Sequence, residues 1–327
     1  MQKYKRLTTT EREEIFLLLN QGLSIREIGR RLGRNHGTIS REVSQTSGEY
    51  SPTKAAKRAE ALRTKPRKKK LDEGVLRHYV VKKLGRHWSP EQIAGRLEQI
   101  HSRVSVSYET IYQFVYSKEG KKNRYFEFLR KGHKRRSIKY DRGSQKAKKI
   151  FIPNRTWIEA RPEEAQKRET VGHLEGDLME GKRATGGVVS VVADRKSGLV
   201  LLDKLKSKNS LERMRPLLKR FDRYPNSLHK TITFDNGTEN VSHELLPKFV
   251  SCQTYFAHPY HSWEKGTVEN TIGLIREFIP KGTDLTEVKQ KDLNMISLSL
   301  NDRPRKRLGF KTPSEVTSEE TGWCITS

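Results

Sequence analysis

The chain has 327 residues, of which 33% are hydrophobic and 32% charged, and a formal net charge of +27. That length suits two or three domains, and the low hydrophobic share fits small basic modules and linkers attached to one well-cored domain rather than a single compact core. No run of 18 apolar residues occurs, the opening MQKYKRLTTTEREE has no apolar signal region, and the two cysteines, Cys252 and Cys324, lack CxxC spacing; the expectation is a soluble, cytoplasmic protein without membrane partner, structural zinc or a disulfide framework.

The charge is one-sided. Residues 1–150 hold 38 Lys and Arg against 15 Asp and Glu, a net of +23, whereas residues 151–327 hold 28 against 24, a net of +4. Solubility alone does not need such an excess. A polyanion partner explains it better, because cations that neutralise phosphates release condensed counterions. A membrane surface explains it less well, since no long basic amphipathic helix carries Trp or Phe on an apolar face.

In chain order, Thr10-Glu11-Arg12-Glu13 reads as a capping box. The stripe Ile15, Leu18, Leu19 follows, and Gly22 supplies a left-handed stop. Ser24-Ile25-Arg26-Glu27 opens a second helix with Ile25, Ile28 and Leu32 on its apolar face and Gly33 as its stop. Asn35 to Val43 forms a third. Short helices joined by Gly-containing turns, the last opening with small polar and basic residues, have the pattern of a helix-turn-helix. On that reading Asn35, His36, Thr38 and Ser40 approach base edges, and Arg30, Arg31, Arg34 and Arg41 reach phosphates. A trihelical protein-interaction module is the alternative.

Residues 54–70, KAAKRAEALRTKPRKKK, are basic enough to predict a linker or arm rather than a packed element. Ser89-Pro90-Glu91-Gln92 then starts another helix, with Ile93 and Leu97 on its buried face. Ser107 to Tyr116 resembles a second recognition-type helix, leaving open whether this module binds DNA or is structural. Its Tyr108, Tyr112 and Tyr116 lie four apart, a stripe that predicts core or interface rather than base stacking. A basic linker with Lys131, Lys134, Arg135, Arg136, Lys146, Lys148 and Lys149 follows. The predicted division is 1–50 helix-turn-helix, 51–70 linker, 71–120 second helical module, 121–164 linker and 165–320 an α/β domain.

Within that last part, Gly187 to Ala193 is β-branched and bounded by Gly, hence a buried strand. Leu199 to Leu202 returns it, Leu211 to Phe221 is helical with Pro216 expected to kink it or reset its start, and Thr231 to Phe234 is the next strand. A strand near Thr254–Phe256 precedes a helix over Glu264 to Phe278. Strands first, then helix and strand in alternation, predict a mixed sheet flanked by helices. Three acids fall at informative places: Asp177 in GHLEGDL, Asp235 after TITF, and Glu269 in WEKGTVEN, with 57 and 33 residues between them. Convergent carboxylates repel one another, and hard divalent cations between them make them tolerable. Two such ions serve in-line displacement at phosphorus. Each acid has a plainer explanation as well. Asp235 begins an Asx-type turn with Asn236 and Gly237, Glu269 suits a first-turn position, and Asp177 competes with Glu175 and Glu180.

Taken together, RLTTTEREEIFLLLNQGLSIREIGRRLGRNHGTISREV, WSPEQIAGRL, GHLEGDL, TFDNGTEN, HPYHSWEKGTVENTIGLIREFIPKG and LNDRPRKRLGFKTPSEV resemble the IS-thirty family of bacterial insertion-sequence transposases over nearly the whole chain. The family belongs to the retroviral-integrase-like DDE group. The resemblance implies N-terminal all-α helix-turn-helix modules followed by a ribonuclease H-like α/β catalytic domain. It implies that Asp177, Asp235 and Glu269 are the catalytic triad and hold two Mg²⁺ or Mn²⁺ ions, with Asn236 and Gly237 presenting the second aspartate. Lys265, Asn270 and Arg276 fall where such proteins contact transposon-end DNA. The implied reaction hydrolyses a phosphodiester at the element's end, and the freed 3′-hydroxyl then attacks target DNA. The implied partners are double-stranded DNA, both terminal inverted repeats and target, and further copies of the chain in a synaptic complex. No small-molecule substrate is implied, and the setting is a bacterial cytoplasm, at the nucleoid when DNA is bound. Leu174 stands where the family usually has tryptophan, a departure that touches packing beside Asp177. The rival readings are a DNA-binding regulator that no longer cuts and a less specific nuclease sharing the core.

Overall fold

The computed structural model describes residues 6–45, 48–64, 71, 74–101, 104–130, 152–182, 187–259 and 261–323. They divide into two units, Met1–Lys69 and Lys70–Ser327.

In the first unit, α1 (Thr9–Asn20), α2 (Ile25–Arg31) and α3 (His36–Ser44) follow the predicted pattern. The first cap is Thr8, two residues before the expected Thr10. Its hydroxyl accepts from Glu11 N at 3.2 Å, and Glu11 Oε2 accepts from Thr8 N at 2.7 Å, because Glu11 is the acid three residues after the cap that the box requires. Gly22 and Gly33 take positive φ at the two turns. At Gly29 a Cβ would lie 2.9 Å from the Arg34 carbonyl, so the close approach of α2 to the start of α3 needs glycine there. The segment expected to be a linker is instead helical across Pro52–Thr64 (α4), and Tyr50 and Ala55 join Ile15, Leu18, Ile28 and Ile39 in the core. Composition alone misleads here: the alanines of KAAKRAEAL give α4 a narrow inward face, and its basic side chains lie along the rest of the helix. Lys65 to Lys70 lie outside the described residues.

The second unit begins with α5 (Val75–Leu84), α6 (Pro90–Ile100) and α7 (Tyr108–Val115), which enclose Val80, Leu84, Trp88, Ile93, Leu97, Ile111 and Val115. The short α8 (Lys118–Lys122) and a 3₁₀ turn at Tyr125–Phe128 complete this module, so its packing continues past the expected boundary at 120. The tyrosine stripe does not form the core. Ile111, Phe114 and Val115 do, while Tyr108 and Tyr112 are 54% and 37% exposed; the inward face of α7 is set by its purely apolar residues, and the phenol groups keep contact with water. The linker residues Lys131, Lys134, Arg135, Arg136, Lys146, Lys148 and Lys149 lie outside the described residues. Ile152, by contrast, is buried in the core of the α/β domain, and Trp157 bridges to Phe256.

After α9 (Glu163–Lys167) come β1 (His173–Glu180), β2 (Val188–Asp194), β3 (Val200–Leu205), α10 (Ser210–Phe221), β4 (Thr231–Phe234), α11 (Leu245–Val250), β5 (Gln253–Phe256), α12 (Gly266–Ile275), α13 (Gln290–Asn301) and α14 (Pro313–Thr321). Helix α10 runs through Pro216 without a restart. The sheet order is β3-β2-β1-β4-β5; β1, β2 and β3 pair antiparallel, and β1, β4 and β5 pair parallel. This is a ribonuclease H-like mixed sheet. Even-numbered β1 and β4 residues, Leu174, Ile232 and Phe234, pack with Met214, Leu217 and Phe221 of α10. The opposite face, carrying Met179, Val189 and Val191, packs on Val268 and Ile275 of α12 and Leu293 and Leu300 of α13. Period-two alternation therefore sends the odd-numbered residues of β1 and β4 to the α12 side.

The helical module is fastened to the C-terminal part of this domain. The Phe310 ring fills the space over Gly95, where a Cβ would come within 2.3 Å. Arg96 grips Glu315 with both ends of its guanidinium, Lys306 meets Glu91 at 2.7 Å, and His87 lies edge-on to Phe278 with centroids 5.2 Å apart.

Candidate active site

Strands β1 and β4 run parallel with His173 opposite Thr231 and Glu175 opposite Thr233. The same offset sets Asp177 beside Asp235, both on the α12 side and both toward the carboxyl ends of their strands. In this sheet the chain leaves β1 for β2 on one side and reaches β4 on the other, so the pair stands at the topological switch point where open sheets bind ligands. Asp177 Oδ2 and Asp235 Oδ2 each lie 3.5 Å from Lys265 Nζ, which is also 3.4 Å from the Gly176 carbonyl. The Lys265 side chain is 9% exposed, against 28% for Asp177 and 41% for Asp235; the ammonium is sealed in while the carboxylates face the solvent.

The turn after β4 is built as its residues suggest. Asn240 Nδ2 donates to the Asp235 carbonyl at 3.0 Å and to Oδ1 at 2.8 Å, and Asn236 Nδ2 donates to the Ala257 carbonyl at 2.6 Å. Burial pushes the Asp235 carboxyl upward, but Lys265, Arg213 and the Gly237 N–H outweigh it and hold the group below the ordinary carboxylate range. Arg213, from α10, is completely buried. Its guanidinium lies 4.8 Å over the Phe234 ring and 3.8 Å from Glu239, and none of its nitrogens has a hydrogen-bond partner. Burial drives its proton affinity down, against the attraction of Asp235, Glu239 and Asp177. The sequence gives no sign of this role, since an arginine in a basic amphipathic helix carries no mark of pointing inward.

Glu175 is removed from the competition with Asp177. It is fully buried, pairs with Arg195, and its Oε2 accepts from the first N–H groups of α12, Thr267 at 2.8 Å and Val268 at 2.9 Å. It caps the helix that carries Lys265 and Glu269. Glu180 pairs with Lys208 at the exposed end of β1.

Glu269 is exposed on α12, in the first turn of the helix that Lys265 precedes. It is not gathered with the aspartates. Among the described residues, three potential metal-ligating atoms come within 4.8 Å of one another only at His258, His261 and Glu264. In that group both Nδ1 atoms lie 3.1 Å from Glu264 Oε1, and Glu264 Oε2 accepts from His258 N at 2.7 Å. Trp157 stacks on His258 and Trp263 on His261. These contacts brace the loop that delivers Lys265, and the residues HPYHSWE carry the only sequence signal for it.

The two aspartates fit a hard divalent cation. Their oxygen donors converge on one point, and a positive charge, the Lys265 ammonium, stands there. Lys265 is therefore not a free DNA contact, contrary to the expectation. Arg276 donates to the Glu180 carbonyl at 2.9 Å and remains half-buried, and Asn270 is exposed. In the first unit Arg34 is held by Glu11, Nε to Oε1 at 2.8 Å, and so braces α1 against α3 instead of standing free for phosphate. Asn35 caps α3 through Gly37 N at 2.8 Å, and Arg41 Nε donates to the Gly37 carbonyl at 2.9 Å. Arg30, Arg31, His36 and Arg41 are exposed; Thr38 and Ser40 are half-buried.

A helix-turn-helix domain family matches residues 3–46. The chain is 37% identical to a transposase of insertion sequence element IS30A from Escherichia coli (strain K12), covering 95% of this chain and 82% of that one. It is 35% identical to a transposase of IS4351 from Bacteroides fragilis, with 95% of each covered. The chain belongs to the IS30-type transposases. A transposase of IS1086 from Cupriavidus metallidurans is 32% identical over 97% of this chain and 95% of its own. Among solved structures, the catalytic core domain of BIV integrase aligns with 46% of the chain and 97% of its own length, at 22% identity and a TM-score of 0.37, too slight a likeness to bear on function. No helix among the described residues is long and apolar enough to cross a membrane.

Proposed function

We propose that this transposase binds the terminal inverted repeats of its insertion sequence through the first unit, and cuts and joins DNA at Asp177, Asp235 and Glu269. The observation that carries the reading is the meeting of Asp177 and Asp235 on one buried cation at the switch point of the sheet. Asp177, Asp235 and, from the neighbouring turn of α12, Glu269 would hold Mg²⁺ or Mn²⁺, which supplies activation of the attacking oxygen and stabilisation of the leaving one. Asn240 and Asn236 fix the turn at Asp235, and Glu175 fixes the start of α12. Lys265 and Arg213 hold Asp235 ionised near neutral pH, and Lys265 shields the repulsion between the two aspartates. In the first step a water oxygen attacks the terminal phosphorus, the P–O3′ bond breaks, and the strand leaves as a 3′-hydroxyl. In the second, that hydroxyl displaces an O3′ of target DNA in the same way. Two ends must be brought together, which calls for more than one copy of the chain, working at the bacterial nucleoid.

One observation favours a second reading. Lys265 pairs with both aspartates, an arrangement that also suits a regulator that binds DNA and leaves it whole. Purified protein, Mg²⁺ and labelled terminal-repeat DNA separate the two. The proposed activity gives nicked and joined products that disappear with Asp235→Ala or with EDTA while end binding persists. Intact DNA from the unaltered chain, or joining at full rate by Asp235→Ala, would overturn it.

A further inference from the structure

On the other side of α12 from Lys265 lies a pocket of about 160 Å³, lined by Arg168, Gly198, Gly266, Thr267, Asn270, Thr271, Leu274, Arg305 and Arg307. Three of these residues are arginines, from two places in the chain: the residue after α9, and two positions in the segment between α13 and α14. None of the three forms an ion pair with a carboxylate among the described residues. Arg305 donates to the Leu300 carbonyl at 3.1 Å and Arg307 to the Lys196 carbonyl, which position the side chains but leave their charge uncancelled. The nearest acids are engaged elsewhere. Asp194 accepts from Gly172 N and from Ser197, and Glu277 pairs with Arg303 and Arg130.

Guanidinium groups crowded in this way oppose one another. Burial, then Arg303 and Arg307, bring Arg305 down to about 10. A second feature points to a guest rather than to packing. Thr267 is 9% exposed, lines the pocket, and its hydroxyl is buried without a hydrogen-bond partner. A buried hydroxyl left unpaired costs about 1–3 kcal/mol, and Thr267 lines the same pocket as the three arginines. Gly198, at φ +73°, leaves room for Arg307; a Cβ there would fall 2.7 Å from its Nη2.

Three guanidinium forks, a hydroxyl and the Asn270 amide make a site for a tetrahedral oxyanion. Helical phase says which one. Glu269 lies on one stripe of α12, whereas Gly266 and Asn270 share the next, about 100° round the axis, and line the pocket. A strand crossing the exposed face of α12 from the aspartates therefore reaches the arginines after about the width of a helix, about 10 Å, or roughly one to two nucleotides.

We propose that the Arg168–Arg305–Arg307 pocket seats one backbone phosphate of the DNA strand that is cut, roughly one to two nucleotides from the reacting phosphodiester. This rests on the activity proposed above. It gives the chain a ruler: the phosphate held on one side of α12 sets which bond lies over the aspartates on the other.

The test uses the full chain, Mg²⁺ and terminal-repeat DNAs each carrying a single neutral methylphosphonate at one position within about six nucleotides of the cut. Arg168 and Arg307 are exposed, so the Arg168→Ala/Arg307→Ala variant is expected to fold. For the unaltered chain, one position about one to three nucleotides from the cut slows cleavage about tenfold. For the variant, cleavage of unmodified DNA is slowed by a like factor, and the methylphosphonate at that position costs little more. Binding measured without metal loses about one unit of its log–log salt slope in the variant. A variant with the same position-specific sensitivity as the unaltered chain would overturn the proposal, and so would an unaltered chain with no sensitive position there. Should the unaltered chain cut no DNA, the proposed activity fails separately. The pocket is then judged by metal-free binding, where an unchanged salt slope and an unchanged methylphosphonate effect count against it.

Discussion

The two units of this transposase put their cations to different uses. In the first, Arg12 and Arg34 are tied to Glu42 and Glu11, and these pairs brace helices too short to be held by apolar burial alone, while Arg30, Arg31 and Arg41 face outward. In the second, Arg213 lies in the core with no hydrogen bond and Lys265 is sealed between two aspartates. The lesson is that charge sign says little until burial is known. An exposed arginine is a mobile, screened cation suited to phosphate; a buried one fixes the electrostatics of its neighbours.

The sharpest way to break this comparison is to remove the charge that Arg213 and Lys265 serve. Asp235→Ala should lower joining by about 10³-fold or more, with end binding by the first unit unchanged in a gel-shift titration. A fall in binding of similar size would mean that the two units do not divide the work. Next in size is Gly95→Leu, which drives a side chain into Phe310 and should cost about 1–3 kcal/mol. Thermal melting of the full chain should show the loss, with relief when Phe310→Ala is added. Melting unchanged by Gly95→Leu would show that the helical module is not fastened to the α/β domain through this contact.

A smaller effect belongs to the first unit. The Arg34 side chain bonds and holds the Glu11 carboxyl below its ordinary value of 4.5, more than offsetting its partial burial. A depressed carboxyl stabilises the fold fully above its unfolded pKa, and that contribution is lost as pH falls through the lowered value. Arg34→Ala should therefore lower the urea midpoint of this unit near pH 7 by an amount that shrinks below pH 4.5. A difference that grows on acidification would refute the assignment. Smallest of all, Tyr112→Ala should leave stability within about 0.5 kcal/mol, as for an exposed side chain away from special features. Its effect on DNA affinity tells whether α7, like α3, faces nucleic acid: a loss of about tenfold would make the two modules alike, and no change would leave α7 as scaffold.

Much of the fold is legible in the residues themselves. Helix starts with Ser or Asn caps, Ser24, Asn35, Ser89 and Ser107, stand as the sequence suggests, because a cap is decided by neighbours within four residues. Thr8 and Thr10 both precede acids, so the pattern does not separate the true cap from its neighbour. The strand at 188–194 announces itself by β-branched residues between glycines. At 51–70 the lysine content hides an alanine face, and the tyrosine spacing of α7 marks a face without saying whether that face lies in the core or at an interface.

By itself the sequence determined the local elements, the lopsided charge and the family, all matters of short-range propensity, composition and motif. It also singled out Asp177, Asp235 and Glu269 as candidates. Only the tertiary structure decided that Glu175 caps α12 while Asp177 faces Asp235, that Lys265 lies between them, and that Arg213 is buried behind. Arg168, Arg305 and Arg307, more than a hundred residues apart in part, meet at one pocket for the same reason. Which charges become partners depends on strand register and helix phase across the sheet, and those are settled when the two apolar faces close on the core.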